Sequence, residues 1–306
     1  MSVVVLGSIN MDLTTYVPHL PAPGETLFGN SFITVPGGKG FNQAVAAGRL
    51  GVATQFIGRV GQDTFGVGLL EMIAAEPVDI SGILADPDSG TGLAIINVNA
   101  QAENTIVVIS GANMAHDQRE VERCRKALTT AKVLLLQLET PLKTSLTAAQ
   151  AAREAGAWVI LDPAPVKSLP AEAYNLCHIV TPNELETEML VGFRPTTVEE
   201  AARAASILCE RGVETAVIKL GAQGVYYQSS NGSGFVEPFA VETIDTVAAG
   251  DAFNGGLAVA LAEERPLAEA IRWGAAAGAL ATTKVGASSA MPSRAELIKL
   301  LAQNQG

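Results

Sequence analysis

The heptapeptide Asp245-Thr246-Val247-Ala248-Ala249-Gly250-Asp251 sets two alanines and a glycine directly before a carboxylate, and the Ala/Gly-rich run Ala252 to Ala262 that follows reads as a helix. The first turn of a helix has N–H groups without intrahelical partners and the positive end of the macrodipole, so it attracts anions. Ala248, Ala249 and Gly250 carry almost no side chain, which leaves that backbone open to close approach by a phosphate. Asp251, held at the same point, can accept a proton from an attacking hydroxyl. An anion cradle beside a carboxylate base is a minimal apparatus for moving a phosphoryl group onto an alcohol. The competing reading is plain: Asp251 is an N-cap after a tight turn, as on many helices.

A second glycine-rich segment, Pro36-Gly37-Gly38-Lys39-Gly40-Phe41-Asn42-Gln43, runs into the helix-like Ala44 to Leu50. Three glycines in four positions suit a backbone that bends sharply or lies against a ligand. The segment is not a P-loop, because Ile33 and Gly40 stand where that motif needs Gly and Ser/Thr. No Gly-x-Gly-x-x-Gly dinucleotide fingerprint fits either. Seen alone, it reads equally as a strand-to-helix turn.

Together these two motifs resemble the signatures of the ribokinase-like (PfkB-type) carbohydrate kinases. Gly37-Gly38-Lys39-Gly40-x-Asn42-Gln43-Ala44 is similar to that family's N-terminal signature, and Asp245-Thr246-x-Ala248-Ala249-Gly250-Asp251-x-Phe253-Asn254-Gly255 to its C-terminal one. Gly7-Ser8-Ile9-Asn10-x-Asp12 and the Asn-x-x-Glu element in Thr181-Pro182-Asn183-Glu184-x-Glu186 fall in family order, so the resemblance runs from about Val3 to Pro292.

The resemblance implies a set of roles. Asn10, Asp12, Gly38, Lys39, Asn42 and Glu139 would bind a sugar, with Asp251 beneath its reacting hydroxyl and the Ala248, Ala249 and Gly250 amides as the anion hole. Asn183, Lys219, Gly221, Gly224 and Gly250 would contact ATP, with Lys219 where the family often has Thr. Asn183 and Glu186, at i and i+3, would hold Mg²⁺ through water; the residues alone equally suit a cap with acids favoured by the dipole. A monovalent cation, K⁺, would sit at Asp245 and the backbone of Val247, Ala281, Lys284, Gly286 and Ala290, the last where a serine is frequent. The implied reaction is in-line transfer of the ATP γ-phosphoryl to the 5-hydroxyl of D-ribose. Phe41 stands where a small residue is usual, and its ring either reshapes the pocket or packs into the helix–sheet core.

Composition fits this and excludes alternatives. The 306 residues are 48% hydrophobic, ample for a sizeable core, and the net charge of −11 argues against nucleic acid. Cys124, Cys177 and Cys209 are odd in number and widely spaced, which reads as reduced structural thiols. His19, His116 and His178 lack metal-ligand spacing. No basic n-region precedes Val3 and no run approaches 18 apolar residues, so a cytoplasmic protein without a membrane span is expected.

Positioning these residues calls for an α/β frame. Val3–Leu6, Thr54–Ile57, Val133–Leu138, Trp158–Leu161, His178–Thr181 and Ala216–Lys219 are mostly unalternating apolar runs, as in strands buried on both faces of a parallel sheet. Helical patterns over Gly66–Ala75, Gln118–Ala131, Leu142–Ala155 and Val198–Arg211 alternate with them, the last with Thr197 and Glu200 as cap residues and Gly212 beyond its end. The order predicts a three-layer, doubly wound, mostly parallel sheet with ligands beyond the carboxyl ends of its strands. Asn10, Asp12 and Glu139 fall there.

Residues 14–35 and 91–110 break the rhythm, with a hairpin around Ala100–Asn104. They predict a small β-sheet over the site, two insertions in an α/β domain of residues 1–13, 36–90 and 111–306. By resemblance it is a lid and the surface of a homodimer; a lid keeps water from accepting the phosphoryl group. Three rivals stay open: the same chemistry on 2-deoxyribose, a hexose or a nucleoside; a catalytically silent sugar-binding protein; and an NAD-type enzyme.

Overall fold

A computed structural model describes residues 2–101 and 103–304. Its strands are β1 (Ser2–Leu6), β2 (Asn10–Tyr16), β3 (Ser31–Gly37), β4 (Ala53–Ile57), β5 (Arg59–Gly61), β6 (Leu84–Asp86), β7 (Gly92–Val98), β8 (Asn104–Ile109), β9 (Val133–Leu136), β10 (Trp158–Leu161), β11 (Ile179–Val180), β12 (Thr215–Lys219), β13 (Val225–Ser229) and β14 (Gly232–Val236). Its α-helices are α1 (Lys39–Arg49), α2 (Thr64–Ile73), α3 (Gln118–Ala127), α4 (Leu142–Glu154), α5 (Ala171–Leu176), α6 (Glu184–Val191), α7 (Val198–Glu210), α8 (Ala249–Ala262), α9 (Leu267–Ala281) and α10 (Arg294–Gln303).

Eight strands form the main sheet in the order β14-β13-β12-β11-β10-β9-β1-β4. The pairs from β12 to β4 are parallel, while β13 and β14 add an antiparallel hairpin at one edge. The apolar runs are unalternating because both faces are covered. Val3 and Val5 point into one core cluster with Phe41, Leu257 and Ile271; Val4 and Leu6 point into the other with Leu134, Val159 and Leu208. That is the period-two geometry of a strand sandwiched between helix layers.

The sequence patterns overran some ends. The pattern to Ala131 stops as a helix at Ala127, where the Thr129 hydroxyl donates to the Lys126 carbonyl and draws the chain into a turn. The helix expected from Gly66 starts at Thr64, because Asp63 caps it by accepting from Gly66 N–H. Thr197 caps α7 as expected, but the Glu200 carboxylate bonds Thr196 instead of closing a capping box. The β13–β14 hairpin was not anticipated, although Asn231-Gly232 is a turn signal.

A separate four-stranded sheet has the order β3-β2-β7-β8, with β2 and β7 parallel. It begins at Asn10 and ends its second strand at Gly37, so it takes in Asn10 and Asp12 as well as the stretch 14–35. Of the turn expected around Ala100–Asn104, Ala102 lies outside the described residues. Among the described residues no helix is long and apolar enough to cross a membrane.

Candidate active site

The start of α8 sits at the heart of the main sheet's carboxyl edge. Ala248 is its N-cap in the left-handed region (φ 57°), a conformation that costs a non-glycine residue roughly 1–2 kcal/mol. The turn it makes frees the first amides. Ala252 N–H is the first to close onto the helix, at the Ala248 carbonyl, and Ala249 N–H makes a long 3.3 Å bond to Thr246. Among the described residues Gly250 and Asp251 N–H have no backbone partner.

Asp251 is therefore the third residue of α8 and not its N-cap, and its carboxylate is bonded from α1 instead of capping its own helix. Asn42 Nδ2 donates to one oxygen at 3.0 Å and Gln43 Nε2 to the other at 3.1 Å, both from α1. Burial pushes its pKa up to about 6, against the pull of Lys39 and with a further push from Asp162.

Helix α1 reaches Asp251 because small residues let it. Gly255 of α8 lies on Ala46, where a Cβ would come within 2.5 Å of the alanine's own. At its N-terminus, Gly38 takes φ 90° with the Ile9 backbone only 2.9 Å from where a Cβ would stand. Only glycine combines that dihedral with that approach. The approach sets Lys39 N–H 3.0 Å from Glu139 Oε2, which also accepts from the Ser8 hydroxyl.

The Lys39 side chain is the junction of the site. Burial works against its charge, yet Asp251, Asp162, Glu139 and Glu186 around it together push its pKa above the ordinary lysine value. Asp12, on β2 over Gly37, is pushed up to about 7 by burial and then by the charge of Glu139, and its Oδ1 has no protein partner.

A cavity of about 790 Å³ opens from Asp251 along the sheet edge. Its lining combines Lys39, Asp162, Glu186, Lys219 and Gly250 with an apolar slot of Phe239, Val241, Ala275 and Ala279. Gly221 and Gly224 line it beside the β12 end. Asn10, Asp12 and Glu139 lie outside this lining, which Glu139 reaches through Lys39 N–H. Asn183 and Glu186 form a complete capping box on α6: Asn183 N and Nδ2 both donate to the Glu186 carboxylate, and Glu186 N–H donates back.

Asp245 ties two loops together, accepting from Val247 N–H and Gly286 N–H at 3.0 Å each. Its own N–H donates to Thr282, next to Ala281 at the end of α9. The Lys284 ammonium turns away to Glu296. Ala290, buried in a short 3₁₀ turn, donates to Ala287 and makes no hydrogen bond to that set. Phe41 is fully buried, edge-on to Phe56 in the core, and is not part of the cavity lining described above.

Four side chains at the site carried no role in the sequence reading. Asp162, at the end of β10, pairs with Lys219 at 3.2 Å and accepts from Gln43 at 3.0 Å; Gln137 donates to Gln43 at 2.7 Å. The rule that sites gather at strand ends points to Asp162 and Gln137, and Gln43 stands inside the glycine-rich motif. Asn113, buried against Ile9 and Asn10, has no such signal.

Against this geometry, a model of the pfkB family carbohydrate kinases matches residues 1–294. The chain belongs to that family. It is a sugar kinase, a phosphotransferase with an alcohol acceptor. A ribokinase of Haemophilus influenzae is 43% identical over 300 residues, covering 98% of each chain. A deoxyribokinase of Salmonella typhi is 31% identical and fully covered by the alignment, as is this chain. The solved ribokinase of Arabidopsis thaliana, complexed with ribose and ATP, superposes with a TM-score of 0.90 over 98% of each chain at 31% identity.

Proposed function

We propose that this kinase transfers the γ-phosphoryl of ATP to the 5-hydroxyl of D-ribose, with Asp251 as general base. The observation that carries the reading is the buried Asp251 carboxylate beside two free helix-terminal amides, with Lys39 against it and a nucleotide-sized cavity beyond. Asp251 takes the proton of the attacking hydroxyl as the phosphorus–oxygen bond forms, and the bond to ADP breaks on the opposite side. The amides of Ala248 to Gly250, joined by the free Asp251 N–H, and the Lys39 ammonium face the charge spread over the transferring oxygens. Asn10, Asp12, Gly38, Asn42 and Glu139 hold the sugar. Asn183, Lys219, Gly221, Gly224 and Gly250 hold ATP, its adenine in the apolar slot.

Mg²⁺ fits as a water-held ion at Asn183 and Glu186. Each Glu186 oxygen already accepts one hydrogen bond, leaving outer lone pairs for coordinated water rather than for direct ligation. When bound, it neutralises phosphate charge. Among the described residues no three His, Cys, Asp or Glu side chains form a metal-binding group. K⁺ would be held by Asp245 and the carbonyls of Val247, Ala281, Lys284, Gly286 and Ala290, ordering the loop that ends in the cradle. The four-stranded sheet is read as a lid and as a homodimer surface, supported by Ile106 to Ile109 of β8, each 46–58% exposed. The cytoplasm is the compartment this chemistry needs for its ATP.

A panel of ribose, 2-deoxyribose, fructose and nucleosides, with ADP release as the readout, tests the substrate. Preference for ribose is expected. A preference for 2-deoxyribose by tenfold or more in kcat/KM would replace the sugar and keep the chemistry.

A further inference from the structure

Asn113 is 1% exposed, in the 3₁₀ turn Gly111–Ala115 that follows β8. Its Oδ1 accepts from Ile9 N–H at 2.9 Å, and its Nδ2 donates to the Ile9 carbonyl at 3.1 Å and to Asn10 Oδ1 at 2.7 Å. The orientation of an amide is normally ambiguous, because its oxygen and nitrogen look alike. Here it is not. A backbone N–H can only donate and a carbonyl can only accept, so the two bonds to Ile9 fix which end of Asn113 is which. Its NH₂ group must then face an acceptor on Asn10, and the Asn10 NH₂ must point the other way. Among the described residues the Asn10 Nδ2 has no partner, and it is not among the fully occluded polar atoms.

A second observation concerns the space for this bond. Gly92, opposite Asn10 in the β2–β7 register, is the first residue of β7. A Cβ there would lie 2.3 Å from Asn113 Nδ2 and 2.4 Å from Asn10 Oδ1. The strand approaches the hydrogen bond so closely that only glycine leaves it intact.

We propose that Asn113 is a positioning residue for the acceptor site, locking the Asn10 amide with its NH₂ toward the substrate. The site then offers a donor-only group at Asn10 beside the acceptor oxygens of Asp12. A pair of neighbouring hydroxyls matches that set, one accepting from Asn10 and one donating to Asp12. This rests on the reading that Asn10 binds the sugar.

The test is steady-state kinetics of Asn113→Asp, Asn10→Ala and their combination, with ribose and ATP varied separately. In Asn113→Asp one oxygen still accepts from Ile9 N–H, while the other faces the Ile9 carbonyl, which cannot turn, and Asn10 Oδ1, whose amide it turns over. The KM for ribose should rise about tenfold or more, the loss of one well-placed hydrogen bond. The KM for ATP should hold within about twofold, and Asn113→Asp should add almost nothing to Asn10→Ala. Gly92→Ala, which presses on the same bond and leaves both side chains present, should give the same pattern if Asn113→Asp does not fold. An unchanged ribose KM in Asn113→Asp or Gly92→Ala, with a raised one in Asn10→Ala, overturns the proposal and leaves the sugar site standing. Full additivity also overturns it, because Asn113 then acts on the backbone and not through Asn10. An unchanged ribose KM in Asn10→Ala refutes the sugar-site reading itself.

Discussion

Asp251→Asn should abolish most turnover without unfolding the protein, and the structure allows both halves to be worked out. The carboxylate pKa of about 6 lies above the ordinary aspartate value of 3.8, so the folded state binds this proton more tightly than the unfolded chain. Above pH 6 the buried charge costs stability. As pH falls from about 6 toward 3.8 the folded state protonates first and that cost disappears, leaving no contribution below 3.8. The rise from 3.8 to about 6 corresponds to roughly 3 kcal/mol of destabilisation at neutral pH. Asparagine removes that cost but turns its NH₂ against the amide of Asn42 or Gln43, which loses one hydrogen bond and costs roughly 1–3 kcal/mol. The two terms nearly cancel, so Tm should move by only a few degrees. Without its proton acceptor the variant should lose a factor of about 10² or more in kcat. In the wild type, kcat should be flat above pH 7 and fall to about a tenth of its plateau at pH 5, one unit below the Asp251 pKa. Stopped-time ADP release in both proteins from pH 5 to 8, with thermal melts alongside, is the assay. Near-wild-type kcat in Asp251→Asn, with an unchanged acid limb, would remove Asp251 from the chemistry.

Three further outcomes follow from the site. Asp12, raised to about 7 by burial and Glu139, should put a second acid limb on kcat/KM for ribose but not for ATP, and Asp12→Asn should flatten it between pH 6 and 8. Lys219→Met leaves Asp162 without its ion-pair partner at the cavity and should raise the ATP KM about tenfold with little change for ribose, read from the same kinetics. Replacing sodium by potassium at about 100 mM should raise kcat, and Asp245→Ala, which unties Val247 and Gly286, should erase the difference; identical rates in both salts would refute the K⁺ site.

The parts of the fold that were legible in the sequence are those where one local rule acts alone. Val3–Leu6 and Trp158–Leu161 read as two-face-buried strands because every residue is apolar, and both became central parallel strands. The β13–β14 hairpin escaped because Tyr226, Tyr227 and Gln228 mix polarity on β13, a mostly half-buried strand next to the edge. At the site, glycines and acids at strand ends marked the backbone geometry, but hydrogen bonds across long sequence separations left no mark. Gln43 touches Asp162 and Asp251, more than 100 residues away, and Asn113 reaches back to Ile9 and Asn10. Whether Phe41 faced pocket or core depended on Phe56, a neighbour no motif names.

The most direct test of the central claim is the identity of the product. Incubating the kinase with ribose, ATP and Mg²⁺ and locating the new phosphoester by ³¹P–¹H correlation decides both acceptor and position. The account predicts ribose 5-phosphate formed in step with ADP, and none of it with Asp251→Asn. Phosphate found on another hydroxyl, or ADP formed with no sugar phosphate at all, would contradict it.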